Sequence, residues 1–115
     1  MRGLAAERAA AAVLGSIRPD GAIPGRLDAG WREAATWCCL TGNAQIAICW
    51  LLLGRRTGSA ALREAARTAI GFVRRTIATS GPDGIRGGVK GSFPVDGLYG
   101  RFQYLNWAGK FLIDA

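Results

Sequence analysis

The sequence predicts an all-α fold built from helical hairpins, and three observations carry that expectation. Alanine- and leucine-rich segments free of proline recur along the 115 residues, and such segments favour helix by intrinsic propensity. A helix stop and a helix start stand back to back at Arg55-Arg56-Thr57-Gly58-Ser59. The phrase P-D-G-x-x-x-G occurs at 19–25 and again at 82–88, each time after a helical segment and before a glycine-rich loop.

The elements follow in order. Leu4–Ser16 is alanine-rich and uncharged after Arg8, which predicts a first helix. Pro19-Asp20-Gly21 ends it, since proline disfavours a helical residue before it and Asp-Gly favours a turn. A loop punctuated by glycine and proline runs on to Thr36. The next helix is expected over Asn43–Arg56, with Thr41 or Asn43 as its N-cap. Its sequence, AQIAICWLLL, is apolar almost all round, which predicts burial on every side. Cations suit its C-terminal end, and Gly58 is a ready C-cap. Ser59 then caps a helix over Ala60–Thr79, whose Leu62, Ala65, Ala66, Ala69, Phe72, Val73 and Ile77 mark one apolar face. Arg63, Arg67, Arg74 and Arg75 stand off that face. The short RTGS link makes the two helices an antiparallel hairpin. After the second P-D-G turn comes a long glycine-rich loop, then a new helix from near Asn106.

Read this way, the chain repeats itself. Aligning CLTGNAQIAI with YLNWAGKFLI pairs Leu40 with Leu105, and each buried helix follows a P-D-G turn and a long loop. Stacked helical hairpins bury their faces on one another. The 115 residues therefore read as a single partial domain of about two hairpin units. It looks cut at its C-terminal end, where Lys110–Ala115 carries no helix stop signal. Such a piece is expected to be marginal alone or to self-associate.

Composition narrows the function classes. Half the residues are hydrophobic and the net charge is +7, with Lys90 and Lys110 the only lysines among 15 basic residues. A surplus of this size attracts anions. No run of five basic residues occurs, however, which argues against a nucleic-acid tail, and the single RGG at Arg86 is weak as an RNA signal. Cys38, Cys39 and Cys49 lack zinc-ligand spacing and the chain has no histidine. They read as reduced, buried thiols in a reducing compartment, with no metal site expected. The longest uncharged apolar run, Ala44–Leu53, falls well short of the roughly 20 residues that span a bilayer. No secretory leader pattern is visible either, so the expected location is the cytoplasm.

The turn IRPDGAIPG resembles the Q-x-P-D-G-S-W type of turn found in α/α-toroid proteins, with Ile17 in place of the glutamine and Ile23 in place of the aromatic. Those proteins include terpenoid cyclases, protein prenyltransferases and six-hairpin carbohydrate enzymes. CLTGNAQIAICWLLLGRRTG followed by GIRGGVKGSFPVDGLYGRFQYLNWAGKFLIDA is similar to a bacterial toroid family associated with polysaccharide biosynthesis. The resemblance covers most of residues 20–115. It implies a fragment of an α/α toroid, with exposed helices in an outer ring and buried helices in an inner ring around a cavity. By the same analogy, the rim that binds substrate is Gly21–Gly42 and Gly84–Asn106.

Within that rim, the second loop holds the densest chemistry. Arg86, Lys90 and Arg101 are interleaved with Phe93, Tyr99, Phe102, Tyr104 and Trp107 among many glycines. Glycines let backbone N–H groups approach an anion, guanidinium grips carboxylate or phosphate, and aromatic faces stack on sugar rings or isoprenoid chains. Trp31 and Trp37 precede the buried helix and are candidates for a cavity mouth, whereas Trp50 reads as core. Asn43 and Gln45 are polar residues at the start of an apolar helix, so they either satisfy a buried amide or contact a ligand. The ligand-binding candidates are therefore Trp31, Trp37, Asn43, Gln45, Arg86, Lys90, Tyr99, Arg101, Tyr104 and Trp107.

No catalytic residue stands out. GGVKGS lacks the G-K-[ST] of a phosphate-binding loop, and no cofactor motif is present. Asp20 and Asp83 occupy equivalent repeat positions, which points to turn or cap duty rather than catalysis. Asp28, Glu33 and Asp96 are rim carboxylates better read as solvated. Without histidine there is no Ser-His or Cys-His nucleophile, and the D-x-D-D acid of hopene-type cyclases is absent. The expected function is a carbohydrate-active or glycan-binding protein of bacterial polysaccharide metabolism, taking a saccharide or an anionic small molecule, with catalysis left open. The alternatives are an isoprenoid- or polyprenyl-diphosphate enzyme and a non-catalytic interaction scaffold.

Overall fold

A computed structural model describes residues 2–83 and 85–115; Gly84 of the second P-D-G turn lies outside them. Four helices and one two-residue strand pair follow in the order α1 (Arg2–Leu14), β1 (Cys38–Cys39), α2 (Leu40–Thr57), α3 (Ala60–Arg75), β2 (Ser92–Phe93) and α4 (Asn106–Asp114). The chain is mostly helical, as the propensities predict. α2 packs against α1, α3 and α4, which makes it the central element.

The hairpin between α2 and α3 forms as its sequence dictates. Gly58 takes φ +73°, the left-handed conformation that ends α2. The Ser59 hydroxyl accepts a hydrogen bond from Leu62 N–H at 3.3 Å and starts α3. Ala66, Ala69, Phe72 and Val73 are buried on the inner face of α3, while Arg63, Arg67, Arg74 and Arg75 are exposed. α3 ends at Arg75, short of the expected Thr79. The Thr76 hydroxyl and amide both turn back onto the Val73 carbonyl, at 2.6 and 3.1 Å, and close the last turn.

Two expectations about α2 are corrected. Its N-cap is Cys39, whose sulfur accepts from Gly42 N–H at 3.3 Å, so Thr41 and Asn43 lie inside the helix and are buried. Nor is the helix buried on every side. Gln45, Cys49, Leu52 and Arg56 follow one another at helical spacing and are all exposed, Leu52 at 60%. Three helices cover α2 and leave that stripe open, because an apolar sequence states a capacity for burial and the neighbours decide how much is used. Cys49 lies on the stripe, so it is an exposed thiol and not a buried one.

The loops are more ordered than their composition announces. β1 and β2 pair antiparallel, Cys38 opposite Phe93 and Cys39 opposite Ser92. Pro24 bridges Cys38 on the other side, and Gly25 N–H donates to the Trp37 carbonyl at 2.8 Å. Val89–Gly91 in turn pairs with Gln103–Leu105. Leu40 N–H donates to Gly91 O at 3.1 Å and Leu105 N–H to Val89 O at 2.9 Å. α2 and α4 thus start from the same short segment and, packed together, run in the same sense.

Two apolar clusters form the core. One lies between α1, α2 and α3 around Trp50, whose indole N–H donates to the Ala10 carbonyl at 3.1 Å. The other lies under the loops and joins Leu40 and Phe72 to Leu105 and Ala108. Asn43 sits between them, 1% exposed. Its Oδ1 accepts from Ile23 N–H at 2.8 Å and from the Cys38 thiol at 3.2 Å, and its Nδ2 donates to the carbonyls of Gly21 and Ala69 at 3.1 and 2.8 Å. The carboxamide's two donors and two acceptor positions are all filled.

The two P-D-G turns differ in setting. In the first, Asp20 Oδ1 accepts from Ala22 N–H at 2.9 Å, the Asx turn expected of it. Gly21–Pro24 is buried, and Gly21, at φ +97°, brings its Cα so close to the Thr68 carbonyl that a Cβ would lie 2.0 Å from that oxygen. The second turn is exposed at Gly81–Asp83, and the Asp83 carboxylate, 91% exposed, pairs with Arg86 at 2.8 Å. The first turn has α3 and Asn43 to lie against, and no described element covers the second in this way.

Replacing Asn43 by leucine leaves the buried Ile23 N–H and Gly21 carbonyl without their partner and removes a second one from the Ala69 carbonyl, and is expected to cost about 3 kcal/mol. Gly109→Ala should act in the opposite direction: Gly109 is a helical glycine with open space where a Cβ would go, and the change is worth roughly 0.5–1 kcal/mol of added stability. Urea denaturation of both variants checks the two signs; an Asn43→Leu protein as stable as the parent contradicts the assignment.

Candidate functional site

The loops before α2 and α4 meet through the β1–β2 ladder, and the structure disposes the ten candidate residues around it in distinct ways. Asn43 is spent on the fold, with every polar atom paired inside the protein. Gln45 is exposed on the open stripe of α2, away from the buried side that carries Asn43. Trp37 is half-buried. Its ring lies so close over Gly25 that a Cβ there would sit 2.2 Å from Cζ3, and Arg26 covers the ring with its guanidinium 5.6 Å from the centroid. Sequence reasoning missed Arg26, because a cross-strand partner has no fixed spacing to betray it.

Trp31 occupies the tip of a hairpin built by Asp28. Leu27 pairs with Glu33, Asp28 N–H donates to Arg32 O at 2.9 Å, and Ala34 N–H donates to Arg26 O at 2.9 Å. The Asp28 carboxylate accepts from the N–H groups of Gly30 and Arg32, at 2.8 and 2.9 Å, and from the Arg32 guanidinium at 3.0 Å. The Arg32 amide, opposed by some desolvation and helped by the Gly30 amide, holds that carboxyl below its ordinary range. Glu33 pairs with Arg18. Both carboxylates are engaged in holding the hairpin, while Asp96 is exposed.

Of the three second-loop cations, two have internal partners. Arg86 pairs with Asp83. Lys90 donates to the Thr76 carbonyl at 2.7 Å, at the C-terminal end of α3, and lies 5.7 Å from the Tyr104 ring centroid; its charge serves the helix end. Arg101 lies over Phe102 at 5.4 Å and is exposed, with no ion pair among the described residues.

The aromatics give the site its character. The Trp107 indole N–H donates to the Tyr99 hydroxyl at 3.0 Å, which locks two exposed rings into one assembly at the first turn of α4. Trp107 is 50% exposed, and Phe93, Leu98 and Phe102 are exposed on the same loop. Tyr104 is half-buried beside Lys90. Phe93 meets Phe72 edge-on at 5.6 Å, so the display is anchored to the core beneath it.

The concavities nearby are shallow and do not gather the candidates. A recess of about 280 Å³ at the start of α2 is lined by Ile23, Arg26, Cys39 and Asn43 among others. Another, of about 460 Å³, lies between Gly87–Val89 and α4 and includes none of the ten. Among the described residues no group of three or more His, Cys, Asp or Glu side chains comes together. No helix there is long and apolar enough to cross a membrane. No protein-family model matches the chain, and comparison with curated proteins and with solved structures gives no match.

The three thiols divide by position. Burial pushes the Cys38 thiol from 9.0 up to about 12, and burial also raises Cys39. At mildly alkaline pH a thiol reagent is expected to modify Cys49 first and Cys38 only on unfolding. Because the unfolded Cys38 ionises near 9.0 and the folded one near 12, the stability it contributes is complete below pH 9 and lost as pH rises from there toward 12. Thiol counting in native and denatured protein, with melts between pH 7 and 10.5, checks both statements; a native chain with three equally reactive thiols contradicts them.

Proposed function

We propose that this chain is a helical-hairpin segment of an α/α toroid, belongs to bacterial polysaccharide metabolism, and binds a saccharide at the rim formed by the two loops. The observation that carries the reading is the Trp107–Tyr99 pair, two rings hydrogen-bonded to each other and open to solvent at the start of α4. A ring fixed in place loses little freedom when a sugar stacks on it, so little of the contact energy is offset by ordering. The parallel start of α2 and α4 from one ladder supports an inner-ring role for both. The basic charge of the chain favours ligands that carry acid groups.

Isothermal titration with uronic-acid oligosaccharides, neutral oligosaccharides and a polyprenyl phosphate tests the proposal. Saturable saccharide binding at about millimolar concentration or below is expected, and Trp107→Ala should weaken it by roughly fivefold to tenfold. A chain that binds only the polyprenyl phosphate belongs to the isoprenoid class, and one that binds none of the three overturns the ligand-binding reading.

A further inference from the structure

Two residues of the chain, neither of them glycine, adopt positive φ among the described residues, and both are exposed aromatics: Trp31 at φ +62° and Phe102 at φ +57°. In this region Cβ crowds the backbone, and bulky side chains avoid it. Glycine is the usual occupant, and the chain uses glycine for that purpose at Gly21, Gly58, Gly81, Gly87 and Gly100. Nothing in the core requires either ring. Trp31 is 48% exposed at a hairpin tip, Phe102 is 64% exposed, and neither belongs to an apolar cluster.

The backbone around each is held firmly. Trp31 N–H donates to Asp28 O at 3.0 Å and Phe102 N–H to Val95 O at 2.8 Å, and the Asp28 carboxylate fixes the tip from within. The strain therefore persists because the turns impose it. Cys38 faces Phe93 with opposite strand directions, so the chain beyond Phe93 runs alongside the segment before Cys38, away from α2. The hairpin carrying Trp31 instead lies along the α1–α2 seam, where Leu27 packs with Val13 and Ile46 and the Ser16 hydroxyl donates to the Trp31 carbonyl at 3.4 Å.

We infer that Trp31 and Phe102 are ligand-contact residues, displayed at backbone positions that glycine would occupy with less strain, and that Arg101 beside Phe102 makes the ligand an acidic saccharide. This rests on the saccharide reading and deepens it. Ring faces meet the apolar faces of sugar units, and the Arg101 guanidinium, free of any ion pair among the described residues, meets a carboxylate. Arg32, next to Trp31, is by contrast tied to Asp28.

The test uses the full chain with Trp31→Gly, Phe102→Gly and Arg101→Gln, tetragalacturonate as the acidic probe and maltotetraose as the neutral one. Each glycine variant is expected to melt at or above the parent, by up to roughly 5 °C, and to bind tetragalacturonate at least about fivefold more weakly. Arg101→Gln should leave the melt unchanged and remove most of the preference for the acidic probe. Lower melting of both glycine variants makes the rings structural and overturns the inference. Parent-like binding by both variants overturns it as well, while leaving the saccharide reading intact. A parent chain that prefers maltotetraose overturns the acidic assignment, and one that binds neither probe removes the saccharide reading and the inference with it.

Discussion

The Asn43 carboxamide is the constraint on which the rest of the structure depends. It sits on α2, and its two donors and two acceptor positions reach four other residues in three segments, the first loop, β1 and α3. Each of those partners is a group that a loop or a neighbouring helix presents to the interior. A buried backbone N–H or carbonyl without a partner costs about 1–3 kcal/mol, so an apolar residue at this place would leave the first loop with polar atoms facing a hydrophobic seam. With the amide present, Gly21–Pro24 can be buried as though it were core. The upper cluster around Leu40 and the lower one around Trp50 then share a wall.

On this anchored layer the two long loops divide into parts that hold and parts that display. Asp20, Asp28, Glu33 and Lys90 hold: each is bound to the backbone or to a counter-ion within the fold. Trp31 and Phe102 project outward from turns held by backbone hydrogen bonds, and the Trp107–Tyr99 pair projects from the start of α4 and the loop before it. Charged residues of the loops thus serve mostly as scaffold, and the outward-facing chemistry is aromatic, with Arg101 beside it. For a chain of net charge +7 this is a shift of emphasis, from general attraction of anions toward a few fixed ring faces.

The helices were largely legible from sequence because their signals are local. Alanine content marked α1, Gly58 and Ser59 marked the α2–α3 junction, and the arginine positions marked the outer face of α3. The ladder was not legible. Pro24, Cys38 and Phe93 are brought together by glycines that permit close approach: at Gly91 an added Cβ would lie 2.7 Å from the Tyr99 carbonyl oxygen, and at Gly97 it would lie 2.6 Å from Ser92. Glycine-rich strands carry no alternation of apolar and polar residues, so period-based reading sees only loop. The same limit hid the duty of Lys90. Its partner carbonyl ends a helix 14 positions earlier, and nothing in the spacing says so. The display of Trp31 and Phe102 depends on backbone angles that composition does not encode.

The burial of the first P-D-G turn against α3 sets an order in time. Its contacts are remote in sequence: Arg75 donates to the Asp20 carbonyl across 55 positions, and Asn43 reaches back 22 positions to Gly21 and forward 26 to Ala69. The α2–α3 hairpin, joined by two residues, closes with far less loss of chain entropy. The hairpin is therefore expected to form first and the first loop to settle once α3 lies in place, an order that pulse-labelled hydrogen exchange during refolding tests.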